Sequence, residues 1–301
     1  MSPPSLLASR LRAHVEALAS APRVPGTPEH ARAREYIEAQ LRSFGHEPHH
    51  ERIPGGINVH TGVTGRRFVV GAHYDSVPGS PGADDNASGV AALLEVARAA
   101  GQRPFPVPVE FIAYDLEERD MIGSQKHCLR IAAEEAELAG MMSLEMLGFT
   151  GDDQVVVPGV ETERSRGDFL AVVANHESAH LLEMFDADDA EDDRARAFLE
   201  LVVAAEDSQA GMAASLSDHG PFWDAGHAAL IVTDTAFLRN PHYHRATDTR
   251  FSRLRLPRPL HRGRDRRSPR VPERPRDLNL VDFFHELLII GSALRSPSPR
   301  G

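Results

Sequence analysis

Imidazole and carboxylate groups recur at five places in this sequence, each beside an apolar run. They are His73-Tyr74-Asp75, Asp84-Asp85-Asn86, Glu117-Glu118, Glu145 and His244. Taken singly, most have an ordinary explanation. A His-x-Asp pair is a common surface hydrogen bond. Asp84-Asp85-Asn86 stands where a helix would need a cap and acids at its positive end. Adjacent glutamates usually form a solvated face. Glu145 resists that treatment, because Ser143-Leu144-Glu145-Met146-Leu147 surrounds it with apolar neighbours and an unpaired buried carboxylate is costly. Taken together the groups form a mixed nitrogen and oxygen donor set of the kind zinc accepts. A single cysteine, Cys128, leaves no thiolate zinc site and no internal disulfide. Five donors with one shared carboxylate suit two ions about 3.5–4 Å apart, an arrangement used for hydrolysis.

The elements needed to position these groups are legible as alternating periods. Residues 5–20 (Leu6, Leu7, Leu11, Val15, Leu18) and 29–44 (Ala31, Ala33, Tyr36, Ile37, Leu41) predict two amphipathic helices. Pro25-Gly26 separates them, and Gly45 fits the position just past the second. The run 67–72 predicts a buried strand, 88–100 a helix, 107–114 a strand, 123–139 a helix and 141–146 a strand. Further strands are expected at 168–175 and 228–235, with helices at 178–185 and 191–205. Strands alternating with helices imply an α/β fold with a mostly parallel or mixed central sheet flanked by helices on both faces. In such sheets ligands bind beyond the carboxyl ends of the strands, which is where the polar groups fall.

Composition sets outer limits. The chain has 301 residues, 41% hydrophobic and 26% charged, ordinary globular values. No apolar run is long enough to span a bilayer, and the first twelve residues lack the apolar stretch of a signal peptide, so the expected location is the cytoplasm. The net charge is −11, unevenly spread. Residues 250–301 hold 13 Arg against 5 acids, and residues 1–249 hold 20 basic against 39 acidic side chains. An acidic body disfavours nucleic acid as a partner. The expected organisation is one domain over 1–249 followed by a basic, Arg/Pro-rich segment over 250–301.

The strings His73-Tyr74-Asp75, Ala83-Asp84-Asp85-Asn86-Ala87-Ser88-Gly89, Glu117-Glu118 followed by Gly123-Ser124, Leu144-Glu145-Met146, Ser217-Asp218-His219, and Tyr243-His244 with Asp248-Thr249 occur in that order. As a set they closely resemble the M28 family of di-zinc aminopeptidases, from about residue 10 to residue 249. The resemblance implies a zinc-aminopeptidase-like fold, peptide substrates and two Zn²⁺ per chain, a donor set that Co²⁺ or Mn²⁺ also satisfies. It implies that His73 and Glu145 hold one ion, Glu118 and His244 the other, and that Asp85 bridges both. Glu117 would be the general base that takes the proton of the attacking water and returns it to the leaving amine. Asp75 would stand behind His73 and orient its ring. Tyr243 and Ser217-Asp218-His219 would lie around the pocket.

Two departures from the family pattern stand out. Arg119-Asp120 replaces the glycine that commonly follows the glutamate pair two residues on, and the sequence after Thr249 loses helical periodicity, with seven prolines in residues 250–301. The abrupt change in charge motivates the hypothesis of a shifted reading frame; a confirmed source sequence would dismiss it. Residues 277–294 return to an apolar, helix-compatible pattern. The rival readings are a glutaminyl-cyclase-like acyltransferase with one zinc, a non-catalytic binding protein of the same fold, and a carboxypeptidase or dipeptidase. The last commonly needs an inserted domain, for which the stretch between Glu145 and His244 has no room.

Overall fold

The computed structural model describes residues 6–102, 105, 107–157, 160, 162, 165–185, 198–203 and 209–249. The basic segment 250–301 therefore lies outside the described residues, as do the predicted helical positions 191–197 and 204–205.

Two helices open the chain. α1 (Leu6–Leu18) buries Leu7, Leu11, Val15 and Leu18, whereas Leu6, expected on the same face, is 75% exposed. α2 (Pro28–Ser43) starts where Thr27 Oγ1 accepts a hydrogen bond from His30 N and Pro28 takes the first turn. It ends as the sequence predicts. Gly45 adopts a positive φ of 90°, so that Gly45 N donates to Arg42 O and His46 N to Leu41 O, closing the last carbonyls.

The sheet follows. Its strands are β1 (His49–Ile53), β2 (Gly56–His60), β3 (Arg67–His73), β4 (Val109–Tyr114), β5 (Leu138–Glu145), β6 (Leu170–Asn175), β7 (Phe198–Val203) and β8 (Ala229–Thr233). Their order in space is β1-β2-β4-β3-β5-β8-β6-β7. The pairs β3–β4, β3–β5, β5–β8 and β6–β7 are parallel, and β1–β2, β2–β4 and β6–β8 antiparallel. Residues 68–72 form a continuous apolar run because both faces of β3 are covered. Phe68, Val70 and Ala72 pack with α1, α2 and α3 (Ala87–Gln102). Val69 faces the opposite layer, with Ile131 of α4 (Ile122–Ala133) and Phe222 of α6 (Gly220–Asp224). A short α5 (Gln209–Ala214) lies beside β7.

Four elements differ from the expectations. The hairpin β1–β2 lies outside the expected elements, although Pro54-Gly55 makes its turn; β1, His-His-Glu-Arg-Ile, carries no apolar alternation, and the alternation of Ile57 and Val59 in β2 is too short to mark a strand. The helix expected over 123–139 stops at Ala133. Glu135 takes a positive φ of 51°, and β5 begins at Leu138. Residues 198–203, expected to be helical, form strand β7 against β6. Phe-Leu-Glu-Leu-Val-Val is a short apolar run whose period does not distinguish helix from strand, and an open sheet edge decides for strand. Residues 176–185 form a 3₁₀ helix rather than an α-helix. Among the described residues, no helix is long and apolar enough to cross a membrane.

Candidate metal centre

The carboxyl ends of β3, β4, β5 and β8 lie side by side, and the polar residues that follow them converge. His73 is the last residue of β3, Glu145 the last of β5, and Glu117-Glu118 follow β4. Asp85 stands two residues before the start of α3, and His244 comes from the loop after β8. The structure brings all six predicted residues into one cluster. His73 Nε2 lies 3.4 Å from Asp85 Oδ1, 3.4 Å from Glu145 Oε2 and 3.8 Å from Glu117 Oε2. His244 Nε2 lies 3.2 Å from Asp85 Oδ2 and 3.1 Å from Glu118 Oε2. The two oxygens of Asp85 thus face two different imidazoles, each with a glutamate beside it.

The cluster suits divalent metal on its own geometry. Ligating atoms of His73, Asp85 and Glu118 lie within 4.8 Å of one another, as do those of His73, Glu117 and Glu145. Glu118 Oε1 is buried with no hydrogen-bond partner, which is expensive unless a cation takes it. Nitrogen and carboxylate oxygen at this spacing are zinc donors, and Asp85 is placed to share its oxygens between two ions.

The electrostatics show the same excess of carboxylates. Burial disfavours a charged His73, yet the carboxylates around it, Glu117 and Glu145 first and then Asp75 and Asp85, push its pKa well above the usual value. Hydrogen bonds to Asp85 and Glu118 push His244 up to about 10. Burial opposes ionisation of Asp85, but His244 and His73 override it and hold its pKa below the carboxylate range. Glu117 moves the other way. Burial raises its pKa well above normal against the pull of His73, with Glu145 and Asp218 adding to the rise.

Each group is held by named contacts. Asp75 stands behind His73 at 3.4 Å from Nδ1, without hydrogen-bond alignment. Its carboxylate also accepts hydrogen bonds from Glu117 N at 3.2 Å and Glu118 N at 3.3 Å. One side chain therefore ties the end of β3 to the loop after β4. Asp248 accepts from Asp84 N and Asp85 N. Asn86 Nδ2 donates to Leu144 O and Glu145 Oε2, and its Oδ1 accepts from Gly89 N and Met146 N. It fastens the start of α3 to the end of β5. Ser217 Oγ donates to Glu145 Oε2 at 2.9 Å, which gives the first residue of the Ser217-Asp218-His219 string a role. The other two are fully buried; burial raises Asp218 to about 7 and lowers His219 to about 3. Tyr243 stacks on the His244 ring with centroids 3.8 Å apart.

The anchors Asn86, Asp248 and Ser217 sit inside strings the sequence marks, without a role that the sequence assigns. Arg23, which touches the same loop system, carries no such mark. Beside the carboxylates opens an apolar cavity lined by Met146, Val173, Leu201, Leu216, Ile231 and Phe237.

Comparison with known proteins agrees with this architecture. A profile of peptidase family M28 matches residues 57–255. The uncharacterized protein YfbL of Escherichia coli is 32% identical over 244 residues, covering 72% of this chain and 73% of YfbL. Aminopeptidase YwaD of Bacillus subtilis is 40% identical over 80 residues, 26% of this chain and 18% of YwaD. Among solved structures, the Legionella pneumophila LapA aminopeptidase superposes with a TM-score of 0.62 at 17% identity, over 98% of this chain and 73% of LapA. Porphyromonas gingivalis glutaminyl cyclase does so with a TM-score of 0.59 at 20% identity, over 81% and 91%. The two structures show the shared fold, a single mixed sheet between helical layers. With the profile spanning well over half of its length, the chain belongs to peptidase family M28, and is a peptide hydrolase.

Proposed function

We propose that this enzyme is a di-zinc aminopeptidase that releases apolar N-terminal residues from peptides. The observation that carries the reading is Asp85, whose two oxygens stand 3.4 and 3.2 Å from His73 Nε2 and His244 Nε2. His73, Asp85 and Glu145 would hold one zinc; His244, Asp85 and Glu118 the other. Two zinc ions supply Lewis acidity, polarising the scissile carbonyl and acidifying a water. Glu117 follows β4 beside Glu118, near enough to His73 to reach that water while remaining off the bridging position. Its carboxylate takes the water's proton and delivers it to the leaving amine. Asp75, by holding Glu117 N and Glu118 N, fixes the base relative to its neighbours.

The purified protein is expected to carry about two zinc per chain and to hydrolyse aminoacyl-nitroanilides. One zinc per chain with cyclisation of N-terminal glutaminyl peptides would replace this reading with the cyclase, and a metal-free, inactive protein would end it.

The cavity sets the substrate preference. Its walls beyond the carboxylates are apolar, so it gains by burying an aliphatic side chain. A leucyl group adds three carbons to an alanyl group, worth about 0.8 kcal/mol each. The leucyl substrate is therefore expected to exceed the alanyl one in kcat/KM by roughly 10- to 50-fold. An aspartyl substrate, facing four carboxylates and apolar walls, should be the poorest. Equal rates for leucyl and aspartyl substrates would remove this cavity from the specificity argument.

A further inference from the structure

Arg23 lies in the turn between α1 and α2 and is 1% exposed. Its guanidinium makes no ion pair among the described residues. It donates instead to backbone carbonyls: Nε to Tyr74 O at 2.7 Å, Nη1 to Pro81 O at 2.6 Å and Leu18 O at 3.3 Å, and Nη2 to Gly82 O at 3.0 Å. The backbone joins in, with Arg23 N donating to Ser76 Oγ and Ser76 N to Arg23 O. Three of the four carbonyls belong to the loop 74–86, which runs from His73 to Asp85 and α3. The loop is moulded onto the guanidinium. A Cβ at Gly82 would meet Arg23 Nη2 at 2.9 Å and collide with the Asp85 carbonyl.

A guanidinium stays charged in proteins, and burying one without a carboxylate partner is costly. Burial does lower the Arg23 pKa, and the charges that oppose the fall are, in order, Asp85, Asp75, Asp248 and Glu118. All four belong to the metal centre or to the residues that hold it. The charge thus has no partner of its own and is balanced by the site as a whole.

We propose that Arg23 is a positioning residue of the metal centre: its forked contacts with Tyr74, Pro81 and Gly82 fix the loop that sets His73 and Asp85 relative to each other. Gly82 O accepts from both Arg23 Nη2 and Ala87 N, so the clamp reaches the first turn of α3 directly behind Asp85. On the other side, Asp248 holds Asp84 N and Asp85 N. The bridging carboxylate is gripped between the two.

The proposal rests on the di-zinc reading, and its test separates the two. Zinc affinity is measured by competition with a chromophoric chelator for wild type, Arg23→Lys and Arg23→Met, together with kcat and KM on the leucyl substrate. Loss of an outer partner of a metal site commonly lowers affinity or activity by about 10- to 100-fold, and that loss is expected for both variants. Lysine keeps the charge but cannot fork to three carbonyls. KM should move less than kcat, because the apolar cavity is untouched. Wild-type affinity in Arg23→Lys would overturn positioning and leave charge alone. Wild-type affinity in Arg23→Met, even with a lowered Tm, would make Arg23 a purely structural residue and equally overturn it. If Arg23→Met does not fold, Arg23→Lys and Ser76→Ala, assayed below their own transitions, decide by the same criterion. Failure of the wild type to bind zinc would instead overturn the proposed function.

Discussion

Replacing Glu117 by alanine lowers kcat by about 10²–10⁴-fold, the range a positioned general acid–base contributes, while zinc content stays at the wild-type level. Glu117 Oε2 is 3.8 Å from His73 Nε2, farther than either carboxylate that flanks His73 more closely, so its removal leaves the proposed donor sets intact. The interaction lost is made in the transition state, and kcat and kcat/KM fall together. The same substitution should not weaken the metal-free fold. Glu117 is partly buried, and desolvation together with Glu145, Asp218 and Glu118 disfavours its charge. Removing it relieves a strained site, the usual trade between stability and activity. Two measurements check this: single-turnover kinetics on the leucyl substrate, and the Tm of the chelated protein. Loss of zinc along with activity would make Glu117 a ligand. Retained activity would move the base to another residue.

Much of this was legible before any coordinates, for a physical reason. β3, β4, β5 and β8 are buried on both faces, so apart from the paired Arg67 and Glu110 and from Ser143 their sequences are apolar, and the reactive groups at their ends stand out against that background. Chemistry restricts residue type: few side chains can donate to a metal, and His73, Asp85, Glu118, Glu145 and His244 are all of that kind. The supports were less legible. Asn86, Asp248 and Arg23 act through hydrogen bonds to main chain far away in sequence, such as Asn86 to Leu144 O and Arg23 to Pro81 O, and Ser217 through one to the Glu145 side chain. The sequence marks the strings that hold Asn86, Ser217 and Asp248 but not what they bind, and nothing in the local pattern distinguishes Arg23 from a surface polar residue. The cavity was invisible for a similar reason. Its walls come from β5, β6, β7, β8 and the loops after them, and β7 reads as helix until the edge of β6 is there to receive it. The proposed preference for apolar substrates therefore rests on the tertiary structure alone.

Stripping the metal should make the protein increasingly unstable as pH rises, and the direction follows from the shifts around the centre. His73 and His244 have folded pKa values raised above 6.5, the latter to about 10. Their stabilisation is complete below 6.5 and is lost as pH climbs through the folded values. Glu117 and Glu118 are raised above 4.5, chiefly by burial. They too hold protons in the folded state that the unfolded chain has given up. Where the folded state binds more protons, stability falls with rising pH. Asp85 opposes this, and its lowered pKa acts only at acid pH. Zinc bound at the centre takes the place of those protons, so loading releases protons and its stabilisation grows with pH. With free zinc at 100 times Kd each site adds about 2.7 kcal/mol. For two sites that is on the order of 10 °C in Tm for a domain of this size. The chelated protein should accordingly lose Tm between pH 5.5 and 8.5 while the zinc-loaded protein changes little. A gap between the two curves that stays constant across that range would mean the centre's protons are not what the metal replaces.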